Sequence, residues 1–93
     1  MNKAVKSAQA AISVLRRFST ERRWFFHRFS FFETDILEAI VCAYELLSEP
    51  NEVNVNKYVQ VVNEIREDFQ ISSRYTGINP IEDLEEIDVV LDV

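Results

Sequence analysis

"VNKYVQVVNEIREDF", Val55 to Phe69, is the most regular stretch of the chain. Val55, Tyr58, Val59, Val62, Ile65 and Phe69 recur three and four positions apart, with Lys57, Gln60, Glu64 and Glu67 outside that face. A half-buried strand would alternate every second residue, so this spacing predicts an amphipathic helix. An asparagine at Asn51 or Asn54 is placed to cap its start, and the expected span is 54–71.

The rest of the chain agrees with that reading. Hairpins and sandwiches spend glycine and proline at every turn, but only one glycine and two prolines occur in 93 residues. The class is therefore all-α, and the length allows a single domain over residues 1–93. Upstream, "SFFE" at Ser30–Glu33 has the form of a capping box and opens a helix expected over 31–48. Phe32, Ile36, Ala39, Ile40, Ala43, Leu46 and Leu47 form its apolar stripe, which Leu37, Val41 and Tyr44 widen. So broad an arc predicts the central helix, covered by neighbours on two sides. "SEPN", Ser48–Asn51, ends it.

Further upstream, Ala4, Ala8, Ala11, Ile12, Leu15 and Phe18 make one face, with Lys6, Gln9, Ser13 and Arg17 opposite. Phe25, Phe26 and Phe29 continue that register, so one helix over 2–29 is expected, with Ser19 or Thr20 able to cap a fresh start and kink it. Its alanines would let another helix approach closely. Downstream, "SSRYTGIN" reads as a loop holding Gly77. "NPIE" at Asn79–Glu82 then opens a short acidic helix, with Ile81, Leu84, Ile87 and Leu91 inward and an ending that is helical, extended or frayed. Short connections imply antiparallel neighbours. The expected fold is a small antiparallel helical bundle of three long helices plus a short acidic C-terminal helix.

Composition excludes several function classes. The single cysteine, Cys42, cannot form an intramolecular disulfide or a cysteine metal cage, and one histidine cannot make a two-histidine site. Carboxylates at Asp35, Glu38 and Glu45 flank Cys42 on what reads as the polar side of its helix, which disfavours a thiolate nucleophile. One glycine rules out a glycine-rich phosphate loop. The acidic run Glu82, Asp83, Glu85, Glu86 and Asp88 lacks the spacing of a calcium loop and reads as a solvated face. No metal, cofactor or catalytic residue is expected. No apolar run approaches a bilayer span and the N-terminus lacks the form of a secretory signal, so a cytoplasmic chain without a membrane partner is expected.

What remains is "ERRWFFHRFSFF", Glu21–Phe32, within a half of the chain whose charge is uneven. Residues 1–31 carry +6 and residues 32–93 carry −12, for the net −6. Phenylalanines in this stretch keep the core register, whereas Trp24 falls among arginines on the outer face. An exposed Trp ringed by Arg has the composition of a protein–protein hot spot. Arg17, Arg23, Trp24, His27 and Arg28 are therefore the candidate partner-binding residues, on a non-enzymatic interaction module of the inhibitor, immunity, adaptor or assembly-factor type, compatible with a homodimer. The second reading is a nucleic-acid-binding regulator using the basic, aromatic face from Arg16 to Arg28.

Arg22 and His27 also have the R-x(4–6)-H spacing, which resembles the motif of the higher-eukaryote and prokaryote nucleotide-binding helical RNases. In that family the His moves a proton and the Arg steadies phosphate charge. The resemblance covers six residues, in the first third of the chain rather than near the end of the helical domain, and no catalytic role is assigned from it.

Overall fold

In the computed structural model the chain is described over residues 2–21 and 30–76. Three helices account for all of these residues but 49–51, with no strand among them: α1 Asn2–Glu21, α2 Ser30–Ser48 and α3 Glu52–Thr76. The expected continuation of the first helix through Phe29 and the acidic helix after Asn79 lie outside the described residues. α2 is the central element, packed extensively against both α1 and α3, which meet each other along a narrower seam.

The alanine face of α1 behaves as its spacing requires. Ala4, Ala8, Ala11, Leu15 and Phe18 are buried, while Lys6, Gln9, Ser13 and Arg17 face solvent. Phe18 meets Phe32 of α2 with ring centroids 6.2 Å apart and planes tilted by 36°. From α2 the core takes Phe32, Ile36, Ala39, Ala43 and Leu46, and from α3 Tyr58, Val61, Val62 and Ile65. Among the described residues Tyr58 is the largest of the fully buried side chains. Its hydroxyl cannot stay unpaired there without a desolvation cost, and it meets the buried Ser7 hydroxyl of α1 at 2.7 Å.

Several boundaries differ from expectation for local reasons. Thr20 lies inside α1, where its hydroxyl donates back to the Arg16 carbonyl at 3.0 Å, and the fresh helix start expected beyond it lies outside the described residues. Residues 72–76, read as a loop, continue α3 to Thr76, since no helix breaker stands before Gly77. Cys42 borders Glu38 and Glu45 as its spacing suggests, but it is buried at the edge of the core rather than exposed. Leu37, Val41 and Tyr44 are exposed rather than covered, because α1 and α3 occupy the other sides of α2.

The α2–α3 junction closes both helix ends in three residues, Glu49–Asn51. The Asn51 side-chain oxygen accepts the Asn54 N–H at 2.9 Å, which makes Asn51 the N-cap of α3. Asn54 in turn donates its side-chain amide to the Glu49 carbonyl at 2.8 Å and to the Glu45 carbonyl at 3.3 Å, satisfying acceptors at the end of α2. Pro50 has no N–H to leave unpaired in so tight a turn.

The cap and the buried hydroxyl pair each set an expected stability cost. Asn51→Ala removes the cap and is expected to cost about 1 kcal/mol, lowering the Tm by roughly 4–8 °C for a domain this small. Ser7→Ala strands the buried Tyr58 hydroxyl and is expected to cost about 1–3 kcal/mol, most of which Tyr58→Phe recovers in the double variant. Urea unfolding of the four members of that cycle measures the coupling; additive costs would show that the hydroxyl pair contributes nothing.

Candidate functional site

Of the five residues singled out in the sequence, Arg17 lies on the exposed face of α1. Arg23, Trp24, His27 and Arg28 lie outside the described residues. The structure brings together a different group, on the seam between α2 and α3.

Helical spacing builds it from both sides. Asp35 and Glu38 are three apart on α2, and Glu64 and Asp68 are four apart on α3, so each pair shares a face. Packing of α2 on α3 sets those faces against each other. Carboxylate oxygens of Asp35, Glu38 and Glu64 all lie within 4.8 Å of one another. Among the described residues this is the arrangement that could hold a metal. Asp68 sits deeper, only 7% exposed, with its carboxyl meeting that of Asp35. Its Oδ2 is buried and has no hydrogen-bond partner among the described residues.

Electrostatics follow from this crowding. Burial, the hydrogen bond with Asp35 and the negative charges of Asp35, Glu64 and Glu67 push the Asp68 carboxyl up to about 8. Near neutral pH it therefore keeps its proton and donates it to Asp35. Glu64 is also raised, by desolvation and then by Asp35, Glu38 and Glu67.

Beside the carboxylates, an open cleft of ≈ 350 Å³ runs between Glu38, Cys42 and Glu45 of α2 and Lys57, Gln60 and Glu64 of α3. Burial pushes the Cys42 thiol up, and Glu45 and Glu38 add to the shift against the opposing Lys57. The thiol thus stays protonated, and the cleft offers no ready nucleophile.

Periodicity alone puts Glu64 on the outer face of its helix, and the hard-cation candidates it offers are confined to the Glu82–Asp88 run, which lies outside the described residues. A signal for the seam is nonetheless present. Like charges at helical spacing repel, and two such pairs on successive helices mark faces that can meet.

Asp68 gives stability an unusual pH dependence. The folded carboxyl holds its proton up to about 8, whereas an unfolded one releases it near 3.8. The folded state binds the extra proton between those values, so this group's contribution is greatest below the window and is lost as pH rises through it. Thermal melts in chelator should show Asp68 lowering stability from pH 5 to about pH 9. Asp68→Asn should flatten that slope and stabilise the chain near pH 9 by roughly 1–3 kcal/mol. An unchanged slope in the variant would place the titration elsewhere.

Comparison of the chain with protein-family models, with curated proteins and with solved structures finds no match.

Proposed function

We propose that the chain is a non-enzymatic protein-interaction module that binds a macromolecular partner through the outer face of α2. The observation that carries this reading is the exposed stripe of Leu37, Val41 and Tyr44, at 51%, 55% and 47% exposure. These residues stand at i, i+4 and i+7, one straight line on the central helix. Such a line on a helix already braced from both sides is a ready surface for a partner's groove. Tyr44 is steadied by Arg16 of α1, whose guanidinium lies 5.8 Å from the ring centroid. An aromatic beside an arginine, next to aliphatic neighbours, has hot-spot composition. The exposed acids Glu38 and Glu45 border the stripe, so the complementary face is apolar with basic residues at its rim.

The fuller expectation goes with this reading: partner contacts at Trp24, Arg23, His27, Arg17 and Arg28, an antiparallel bundle, a short acidic fourth helix, a cytoplasmic chain and a homodimer or a protein partner. No helix among the described residues is long and apolar enough to cross a membrane.

Val41→Asp and Tyr44→Ala test the reading. Sedimentation equilibrium reports self-association, and affinity capture from the native host compares wild type with each variant. Tyr44→Ala is expected to weaken association by about 2 kcal/mol, roughly thirtyfold, with the helical circular dichroism unchanged. Binding of an oligonucleotide that is salt-sensitive, is lost with Arg16→Ala plus Arg17→Ala and ignores Val41→Asp would overturn it in favour of nucleic acid.

A further inference from the structure

The seam carboxylates have a geometry that the interaction reading does not use. Two observations about them are independent. Three acids from two helices converge their oxygens to within 4.8 Å of one another, although nothing in the hydrophobic core requires acids at those positions. A fourth, Asp68, is more than nine-tenths buried and meets Asp35, with a second oxygen that finds no donor among the described residues. Burying a polar acceptor without a partner is costly, and crowding it among like charges adds to the cost. A cation would turn each of these costs into a coordination bond.

We propose that Asp35, Glu38, Glu64 and Asp68 form a binding site for one hard divalent cation of calcium's size, bridging α2 and α3. The donor set is all oxygen, which selects hard ions over zinc or copper. Calcium–oxygen bonds of about 2.3–2.6 Å set ligand oxygens on opposite sides of the ion about 4.6–5.2 Å apart. The observed spread of up to 4.8 Å fits that span with little movement. Magnesium, at about 2.0–2.1 Å, would need the carboxylates drawn closer or waters interposed. Asp35 and Glu38 bind from α2, and Glu64 binds from α3. Asp68 enters from the core side and carries the oxygen that otherwise lacks a partner. The adjoining cleft, open beside Glu38 and Glu64, gives the ion its path from solvent.

The test uses the full chain, stripped with chelator and titrated calorimetrically with CaCl₂, with MgCl₂ and with NaCl at matched ionic strength. A single saturable calcium site is expected, with a melting temperature raised by several degrees beyond the NaCl control. In ¹⁵N spectra, the shifts should concentrate at 35–38 and 64–68. The paired substitution Asp35→Asn with Glu64→Gln removes like charges, so it should keep the fold and raise the ion-free melting temperature. It should also weaken calcium binding by roughly tenfold or more. Three results would each overturn the site: no saturable binding, stabilisation equalled by NaCl, or calcium affinity unchanged in the paired variant. The first two would leave the seam as an acid pair held by a shared proton.

Discussion

A phenol group fully buried among three helices constrains everything else in the molecule. Tyr58 needs room, and it shares the core with the small alanines at 4, 8 and 11 of α1. It also needs a partner for its hydroxyl, and Ser7 is that partner. Together these fix how α1 sits on α3. Slipping α1 by one turn would offer the hydroxyl Ala11 or the exposed Lys3 position, and neither supplies a buried hydroxyl. Apolar packing alone tolerates such a slip, because one alanine resembles the next. A single polar pair does not tolerate it, which is how a buried hydrogen bond adds specificity that its modest net stability would not suggest.

With α1 and α3 so placed, α2 has two covered sides and one left over. Phe32, Ile36, Ala39, Ala43 and Leu46 fill the covered arc. Leu37, Val41 and Tyr44 then necessarily turn outward, and the acids at Asp35 and Glu38 fall on the edge facing α3. Both of these surfaces, one apolar and one acidic, are thus consequences of the same packing choice. They lie on adjacent arcs of one rigid helix, which positions side chains more exactingly than a loop would.

What is legible in the sequence is what depends on local angle. The faces of α1 and α3, the all-helical class and the asparagine cap at Asn51 are all properties of a few neighbouring residues. Periodicity gives the width of the apolar arc on α2 but not how much of it neighbours cover, so Leu37, Val41 and Tyr44 read as covered and Cys42 as peripheral. The seam is harder to read because acids on α2 and α3 each look solvated when their own helix is considered alone. Only the packing of the two helices sets Asp35 against Asp68, which stand far apart along the chain. The Ser7–Tyr58 bond spans 51 positions and leaves no local trace at all.

The acidic seam also bears on how the outer face of α2 can be used. Glu38 contributes to the carboxylate group and to the wall of the cleft that Val41 also lines. Any ligand that draws Glu38 toward α3 takes its charge away from the border of the apolar stripe. On the proposed reading, a partner seated on the stripe with basic residues at its rim would compete for that same charge. Two ligands that share a side chain are coupled, and the coupling is reciprocal: whatever one does to the affinity of the other is returned in equal measure. With both proposals in force, Glu38 would be the point at which the packing of α2 between its two neighbours links the seam to the surface.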